Sequence, residues 1–547
     1  MLRRLAIAIA VATTLSGCVT APPIAEADPN GELVMLGSEP TPQHLDPQQA
    51  AFVSEVNEVA LLFDTLLTYD RTGTRLVPSL ASGLPRRSSD GLTYTVGLRD
   101  GLQYSDGRAL TAADFVFAFR HLCDPTTRSQ FAGSAFAVAG CEKYHADDPA
   151  KVTQAELAAD RAAIGVTATD DRTLAFTLVA PAAYFPFILA SWFTAPTRED
   201  AVAKGDRWTE PATFVGNGLF RMVSWSHRVQ MVLERNDHHQ PIAKLKRIVL
   251  QLAFQSTAAL AAYREGALDE LGVGIDQKAA VEADPTLAGQ LRTAASACTG
   301  YFSLNVLRPP FDDPRVRLAF AKSFDRAGYV DLLNGLAKPL ATFVPPGLPG
   351  YDPDDTTQAF DPAAARALLA GSRYAGAVPA VRLTYSPSAL GTKILQAVVD
   401  SWRRNLGVPI QLDPVDGSTA LELQRRPETV PQLAGAAWCA DYPDPQNFLA
   451  TVFTSKTTTG RTNYSSPAFD DLVRRAEAEA DPATRIDLYQ QAQRVLTADA
   501  PAVFTSTTTA LFLIAPRVHG AHFTPLDHTF SQFTLSEVYV ERRPGTK

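Results

Sequence analysis

One stretch of the chain, Gly435–Phe448, reads Gly-Ala-Ala-Trp-Cys-Ala-Asp-Tyr-Pro-Asp-Pro-Gln-Asn-Phe. Its small and apolar beginning predicts a short strand, and Pro443 and Pro445 end it because proline neither donates to a sheet nor continues a helix. Asp441 therefore stands where the strand stops. Two interpretations are open: the stretch is the edge of a ligand cleft, or it is a core strand followed by a turn-forming aspartate.

The N-terminus predicts export from the cytoplasm. Two arginines precede a short apolar run over 5–15, and Leu15-Ser16-Gly17-Cys18 follows. The run is too short to span a bilayer, and its flanks are typical of a signal peptide. Because Leu-Ser-Gly-Cys matches the bacterial lipobox, we predict a lipoprotein signal peptide over 1–17, lipidation of Cys18 and a tether over 18–29. An ordinary cleaved signal with an incidental cysteine is the alternative.

Length and charge exclude several classes of protein. A chain of 547 residues needs more than one lobe, because single cores stop growing at about 250–300 residues. A formal charge of −8 without a basic cluster argues against nucleic acid as a partner. Beyond the signal peptide, no apolar run is long enough to cross a membrane. We therefore expect an extracytoplasmic body that its lipid anchor holds at the cell membrane.

Besides the predicted lipidation site, four cysteines remain, and an even number in an exported protein predicts two disulfides. Three connectivities are possible. Cys123–Cys141 is the local pairing and Cys298–Cys439 the distant one. The distant disulfide would close a loop of more than a hundred residues, which stabilises a fold by about 4–5 kcal/mol. It would also hold the strand of Trp438 against the segment around Tyr301.

Apolar periodicity predicts strands and helices that alternate along the chain. Strands are predicted over 32–36, 92–98, 166–169, 174–178, 229–233 and 248–252. Helices are predicted over 55–67, 363–370 and 394–406, and after the cap Thr111 and the N-terminal prolines Pro314, Pro467 and Pro482. This mixture favours α/β lobes over a sandwich or a bundle.

No motif for catalysis or for a cofactor is found in the sequence. His519 and His522 are near each other, but no third ligand stands at a spacing typical of a metal site. The sequence contains neither a nucleophile elbow nor a phosphate-binding loop. We therefore predict no catalytic residue, no metal and no cofactor. A secreted hydrolase is the alternative from the enzyme classes.

A series of motifs occurs in one order along the chain. They are Leu45-Asp46-Pro47, Phe63–Leu67, Asp90–Gly101, Tyr104–Asp114, Gly216–Phe220, Glu265–Asp269, Pro310–Arg317, Phe324–Arg326 and Asn463-Tyr464. In type and order, over nearly the whole chain after the signal peptide, they resemble the large extracellular solute-binding proteins of peptide-type ABC importers. Cys298-Thr299 and Trp438–Tyr442 are most similar to the oligopeptide-binding members of that family.

The resemblance implies a three-lobed α/β fold with mixed sheets, of the periplasmic-binding-protein (Venus flytrap) type. Lobe I is expected to comprise 30–63, 196–298 and 515–547. Lobe II is expected over 64–195 and lobe III over 299–514, with the ligand between lobes I and III.

The resemblance also implies which residues bind the ligand. A peptide backbone is expected as an added strand between two segments of the protein. These are Ala51, Phe52 and Val53 on one side, and Ala437, Trp438 and Cys439 on the other. Asp441 matches the carboxylate that pairs with the peptide α-ammonium, and Tyr301 is expected to contact the ligand from the neighbouring segment.

The implied function is that of a lipid-anchored substrate-binding component of an ABC importer, and not of an enzyme. As a monomer, it would capture peptides and deliver them to the permease subunits with their ATPases. Gly435 stands where similar peptide binders have an arginine for the carboxyl end of the ligand. For this reason an oligosaccharide, an opine or a metal complex in the same fold is the alternative.

Overall fold

A computed structural model describes residues 27–37, 42, 45–252, 256–424, 427–457, 461–527 and 533–542. The predicted signal peptide, Cys18 and the first part of the predicted tether lie outside these ranges. Among the helices of the described ranges, none combines the length and the apolar character that crossing a membrane requires.

Strands and helices alternate along the described chain. The strands are β1 (Glu32–Leu36), β2 (Leu67–Tyr69), β3 (Leu76–Pro78), β4 (Arg86–Arg87), β5 (Thr93–Gly97), β6 (Val166–Asp170), β7 (Thr173–Thr177), β8 (Phe220–Ser226), β9 (Gln230–Arg235), β10 (Arg247–Gln251), β11 (Glu270–Gly272), β12 (Leu291–Leu304), β13 (Ala337–Pro339), β14 (Val381–Tyr385), β15 (Ile410–Pro414), β16 (Leu433–Cys439), β17 (Ala502–Ile514), β18 (Val518–His519) and β19 (Tyr539–Val540).

The helices are α1 (Val53–Leu62), α2 (Ala112–Cys123), α3 (Cys141–Ala146), α4 (Gln154–Ala162), α5 (Phe185–Ile188), α6 (Glu199–Val202), α7 (Ser256–Arg264), α8 (Ile275–Glu282), α9 (Pro285–Ala288), α10 (Pro314–Ser323), α11 (Arg326–Leu332), α12 (Pro362–Ala370), α13 (Ala389–Leu406), α14 (Gly417–Leu423), α15 (Pro445–Phe453), α16 (Pro467–Ala478) and α17 (Pro482–Asp499). Short 3₁₀ turns lie at Ala132–Ala135, Trp192–Thr194, Gly205–Thr209 and Leu535–Glu537.

The largest element of the fold is a mixed sheet of eleven strands. Its order is β15-β14-β16-β12-β17-β11-β1-β10-β9-β8, and β13 pairs with β17 outside this path. β1 runs parallel to β10 and β11, and β14 runs parallel to β15 and β16. The central strands β16, β12 and β17 are antiparallel. The mixed α/β character predicted from the sequence is thereby confirmed.

Separate apolar cores cover the two halves of this sheet. One core includes Leu33, Phe220 and Ile248 around β1, β8 and β10. Another includes Phe302 and Trp402, which packs α13 against β12 with ring centroids 5.2 Å apart. Burying several separate cores is what a chain of this length requires.

A second sheet, β4-β5-β7-β6, is antiparallel and has its own layer of helix. α2 packs against it through Phe115 and Phe119, and the ring of Phe119 meets Phe176 of β7 at 5.2 Å. The helix begins as its capping pattern predicts, because the backbone N–H of Thr111 donates to the Asp114 carboxylate at 2.7 Å.

The predicted helix over 55–67 is wrong at both ends, since α1 covers Val53–Leu62. Phe63 is already extended, and the carbonyl of Leu62 accepts the backbone N–H of Gly218 at 2.9 Å. A Cβ on Gly218 would lie 2.5 Å from the carbonyl carbon of Leu62, so glycine is required by this close approach. A contact with a distant loop, absent from the local pattern, thus ends the helix.

The division into three lobes remains a prediction, and one strand crosses a predicted boundary. β12 is continuous through the predicted boundary at residue 298, and β17 pairs with β11 as well as with β12. Pairing between β12 and β17 shifts register between Ala295 and Thr299. The two halves of the sheet are therefore joined through the pairing of β12 with β17.

Both predicted disulfides are present. Cys123 pairs with Cys141 and ties α2 to α3. Cys298 pairs with Cys439, and these residues are direct neighbours on β12 and β16 with Cα atoms 3.9 Å apart. The distant disulfide therefore locks the strand that carries Trp438.

We predict unequal stability losses when the disulfides are removed. The pairs close loops of 18 and 141 residues, so the chain-entropy model assigns about 3 kcal/mol to the first and about 5 kcal/mol to the second. The double variant Cys298→Ser/Cys439→Ser should accordingly unfold at a lower urea concentration than Cys123→Ser/Cys141→Ser. Equal midpoints, or the reverse order, would show that loop closure does not govern their contributions.

Candidate ligand-binding site

One edge of β16 is left without a neighbouring strand among the described residues. β12 pairs with β16 over its whole length, from Leu433 to Cys439, whereas β14 reaches only Leu433 and Ala434. Gly435, Ala437 and Cys439 are exposed along the remainder. An extended chain could therefore add to this edge.

The direction of the backbone groups on this edge follows from one hydrogen bond. The N–H of Ala440 donates to the carbonyl of Ala297 at 2.9 Å, so Ala440 forms a hydrogen-bonded pair with β12. Antiparallel pairs alternate, which directs the N–H and C=O groups of Gly435, Ala437 and Cys439 away from β12. These groups supply the donors and acceptors that a ligand backbone needs.

Asp441 follows the free edge, and Asn447 of α15 orients it. The side-chain amide of Asn447 donates to Asp441 Oδ2 at 2.9 Å, while its oxygen accepts the N–H of Asp441 at 2.9 Å. The same oxygen accepts Trp438 Nε1–H at 3.2 Å. One asparagine thereby fixes the strand end, the indole and the carboxylate relative to one another.

The turn after Asp441 is held by a buried ion pair. Arg485 of α17 donates to both carboxylate oxygens of Asp444, at 2.6 and 2.7 Å. Asp444 also caps α15 by accepting the N–H of Gln446 at 2.9 Å. The Asp-Pro sequence at residues 444–445 therefore begins a helix, as the same pattern does at Pro314.

Asp441 itself has no cation beside it in the described structure. Burial raises its pKa to about 6, and the hydrogen bond from Asn447 only partly opposes this rise. The buried hydroxyl of Tyr69 has no hydrogen-bond partner. Burial, and then the charges of Asp444 and Asp441, raise the pKa of Tyr69 well above its usual value.

Residues from other parts of the chain complete a small cavity at Asp441. It has a volume of about 90 Å³. Its lining includes Val56 and Ala60 of α1, together with Tyr69, Trp192 and Asp441. Segments from all three predicted lobes therefore meet at the carboxylate.

The predicted contact segment at Ala51–Val53 is adjacent to this cavity, but its amides are engaged. The N–H groups of Ala51 and Phe52 donate to Glu55, at 3.0 and 3.3 Å, and cap α1. Trp192 donates to the neighbouring carbonyl of Ala50 at 3.1 Å. Phe52 is 53% exposed, so its ring is available to a ligand.

Tyr301 lies opposite Ala436 on β12, with its ring in the core. It is 2% exposed and packs among Phe343, Phe453 and Phe504. The structure therefore places this ring behind the free edge of β16, away from direct exposure to it.

The sequence interpretation missed Tyr69 and Asn447. Tyr69 is 372 positions before Asp441 in the numbering and carries no local signal of a binding role. Asn447 could have been found, because Asp444-Pro445 marks a helix start and thereby places Asn447 in the first turn above Asp441.

The histidines considered for a metal have other partners. His519 Nε2 lies 2.7 Å from Glu541, and His522 Nε2 lies 2.6 Å from the carbonyl of Arg71. Among the residues that the structure describes, no group of three or more metal-ligating side chains comes together.

The comparisons with known proteins agree with a binding function. A family model described as bacterial extracellular solute-binding proteins, family 5 (middle), matches residues 75–460. The family match defines a solute-binding protein and not an enzyme. The chain belongs to the bacterial extracellular solute-binding proteins of family 5. The resemblance and the extracytoplasmic location predicted from the sequence are thereby confirmed.

Several curated proteins are similar over most of their length. The chain is 31% identical to the periplasmic oligopeptide-binding protein OppA of Salmonella typhimurium, over 89% of each chain. It is 30% identical to the probable deoxycholate-binding periplasmic protein YgiS of Escherichia coli, over 91% of this chain and 92% of the relative. It is 29% identical to the periplasmic murein peptide-binding protein MppA of Escherichia coli, over 88% of each chain.

Solved structures confirm the fold. The unliganded open form of MppA, a periplasmic murein tripeptide-binding protein, aligns with a TM-score of 0.77 and 26% identity, over 95% of this chain and 99% of that one. Another structure of the Escherichia coli murein tripeptide-binding protein MppA aligns with a TM-score of 0.78 over 94% and 100% of the two chains. The periplasmic-binding-protein fold predicted from the resemblance is correct.

We predict that Asp441→Asn stabilises the ligand-free protein at pH 8. The folded-state pKa of about 6 exceeds the ordinary 3.8, so the folded protein loses stability as pH rises from about 4 to about 6, and the full loss persists above. Removing the charge should raise the free energy of unfolding by about 1–3 kcal/mol at pH 8 and leave it unchanged near pH 4.

Urea unfolding of ligand-free protein at both pH values measures this difference. Asp444→Asn is the matched control, because it breaks the ion pair with Arg485 and should destabilise the protein. A stability of Asp441→Asn equal to that of the wild type at pH 8 would contradict the prediction.

Proposed function

We propose that the protein captures peptides outside the cytoplasm as the binding component of an ABC importer. The observation that carries this proposal is a free strand edge that ends at an unpaired carboxylate. The edge offers outward N–H and C=O groups at Gly435, Ala437 and Cys439. A peptide backbone matches such an edge independently of its side chains.

The electrostatics of Asp441 favour a ligand with an ammonium group. Asp441 has only a neutral amide as its side-chain partner, and the nearby hydroxyl of Tyr69 has none. An α-ammonium would donate to both oxygens and bring a positive charge to the site. A charged group left unpaired in such surroundings costs about 1–3 kcal/mol or more, so binding an ammonium relieves an existing penalty.

The names of the relatives support peptides more than other solutes. Two of the three relatives described above are named for oligopeptides or murein peptides. The third is named as a probable deoxycholate-binding protein, which makes a non-peptide solute the second candidate. An anionic bile acid would bring a like charge to Asp441, whereas a peptide brings an opposite one.

The placement of the ligand follows the lobe division. We propose that it lies between lobe I (30–63, 196–298 and 515–547) and lobe III (299–514), with lobe II (64–195) closing on Asp441 through Tyr69. The segment Ala51–Val53 would contact the ligand through the carbonyl of Ala51 and the ring of Phe52. The amides of Ala51 and Phe52 donate to Glu55, and the carbonyl of Phe52 accepts amides of α1. Trp438 would form part of the site wall.

The proposal includes attachment to the membrane and delivery of the ligand. Cleavage after residue 17 would expose Cys18 for lipidation, and the tether over 18–29 would let the monomeric body reach the permease subunits with their ATPases. Two or more acyl chains give stable anchoring. Radiolabelled fatty acid should enter the wild type and not Cys18→Ala.

We predict that the wild type discriminates between free and N-acetylated peptides. Protein that has been unfolded, washed and refolded should bind free-amine pentapeptides about ten- to a hundredfold more tightly than their acetylated forms. In Asp441→Asn this preference should fall to near unity. Isothermal titration calorimetry measures both affinities, and deoxycholate and an oligosaccharide serve as competing ligands.

Asp487→Asn is the matched control, because this carboxylate is exposed on α17 and bonds only to Gln491 among the described contacts. It should bind as the wild type does. Binding of deoxycholate or a sugar without any peptide would refute the peptide proposal. Equal affinity for free and acetylated peptides would remove Asp441 as the amine anchor.

A further inference from the structure

Two histidine–aspartate pairs join the predicted lobes I and II. Nε2 of His121, on α2, lies 2.8 Å from a carboxylate oxygen of Asp46. Nε2 of His239, in the loop between β9 and β10, lies 2.8 Å from a carboxylate oxygen of Asp64. Each pair takes one residue from each predicted lobe. The partner of the other ring nitrogen, Nδ1, distinguishes the two pairs.

The ring of His121 satisfies both of its contacts without a charge. Its Nδ1 lies 2.9 Å from the hydroxyl oxygen of Thr127, and a hydroxyl can either donate or accept. With one proton, on Nε2, the ring donates to Asp46 and accepts the hydroxyl proton of Thr127. Trp208 also donates to the Asp46 carboxylate, at 3.3 Å. This pair therefore needs only the neutral ring.

The ring of His239 faces acceptors on both sides. Its Nδ1 lies 2.7 Å from the carbonyl oxygen of Pro241, and its Nε2 contacts the Asp64 carboxylate. A carbonyl and an ionised carboxylate only accept hydrogen bonds, so both ring nitrogens must carry a proton. Because imidazole is more basic than a carboxylate, the second proton resides on the ring. The arrangement therefore requires an imidazolium beside Asp64.

The charges around His239 favour this state. Burial by itself lowers the pKa of His239, but the hydrogen bond to Asp64, the charge of that carboxylate and the carbonyl of Pro241 together outweigh burial. They raise the pKa of His239 above its ordinary 6.5. Arg99 opposes the rise from the loop after β5, where its guanidinium donates to the carbonyl of Gln240 at 3.3 Å.

The adjoining titratable side chains of the same loop have other partners. Asp237 pairs with Arg235 at 3.1 Å. Nδ1 of His238 lies 3.2 Å from the side-chain oxygen of Gln103. The ion pair with predicted lobe II is therefore made by His239.

Asp64 connects this pair to the junction of the lobes and to the ligand cavity. It is the first residue of predicted lobe II, and it lines the cavity that also contains Asp441. Its carbonyl accepts the side-chain amide of Asn217 at 3.2 Å. Nearby, the N–H of Ser105 donates to the carbonyl of Gly216 at 2.8 Å. Of these contacts across the junction, the ion pair is the one that depends on a proton.

We propose that His239 and Asp64 form a proton-dependent latch between predicted lobes I and II, at the wall of the ligand cavity. The latch holds while His239 carries both ring protons. When one is lost, a nitrogen lone pair faces an oxygen atom, and water has little access because the His239 side chain is 6% exposed. The junction then opens more readily, whichever ligand the cleft binds.

The latch is strongest on the acid side of neutrality. Because the folded-state pKa of His239 is raised, the stabilisation by the pair is complete near pH 6 and is lost as pH rises through that raised pKa. The pair also changes from neutral to negative over this range. The loss of the proton therefore adds a negative charge at the cavity of Asp441.

NMR of protein labelled with ¹⁵N-histidine tests the protonation of the ring. His239 should be mostly doubly protonated at pH 6.5, with a pKa above 6.5. In Asp64→Asn the pKa of His239 should fall below 6.5, because burial then acts without the anion. The spectrum of His239→Gln assigns the signal.

Hydrogen exchange tests whether the latch holds the junction. In the wild type, the protection factor of the Ser105 amide should fall about tenfold between pH 6.5 and pH 9. In His239→Gln it should be low at both pH values. The amide of Leu98 is the internal reference, because it donates to the carbonyl of Arg172 at 2.7 Å within predicted lobe II. Its protection should respond to neither pH nor the substitution.

His121→Gln is the matched variant, because it removes the other histidine–aspartate pair and leaves the latch intact. Its Ser105 protection should fall with pH as in the wild type. Three results would overturn the proposal: Ser105 protection that is independent of pH in the wild type, an equal fall in His239→Gln, or a pKa of His239 that stays raised in Asp64→Asn.

Discussion

The pairing of β16 with β12 is the constraint on which the site depends. All seven residues of β16 are paired in register with β12 on one side, and Cys298–Cys439 adds a covalent link between direct neighbours. An unpaired strand edge is normally a liability, because it can recruit any other extended chain. Here the opposite edge is fixed so firmly that Gly435–Cys439 can stay open without losing its register. Under the proposed function, the open edge that other proteins suppress becomes the place where the ligand binds.

Two aspartates three residues apart show how surroundings separate structure from function. Asp444 is bonded at both oxygens to Arg485 and caps α15, so its charge stabilises the turn. Asp441 receives only a neutral amide from Asn447, and burial raises its pKa to about 6. Under the proposed function, the ligand supplies the missing partner. Charges left unmatched at a binding site commonly trade stability for recognition.

Much of the fold followed from local sequence patterns and from the resemblance. The sequence correctly predicted the cap at Thr111 and the Asp-Pro helix starts, because these depend on residues near in sequence. It also predicted two disulfides, because the number of remaining cysteines is even. The end of α1 was not predicted correctly, because it depends on Gly218 from a distant loop. Asp441 was predicted as a site residue from its strand and from the resemblance, whereas Tyr69 and Trp192 reach the cavity beside it from remote segments. Apolar periodicity predicts local structure but not which distant side chains come into contact. A site built from several segments is therefore only partly predictable from the sequence.

The position of the Cys298–Cys439 disulfide has a further consequence for the life of the protein. The bond lies within the edge proposed to bind the ligand, and the cytoplasm keeps thiols reduced. The covalent lock on this edge therefore forms only after the chain has left the cytoplasm. Completion of the disulfide-locked strand pair is thereby coupled to export.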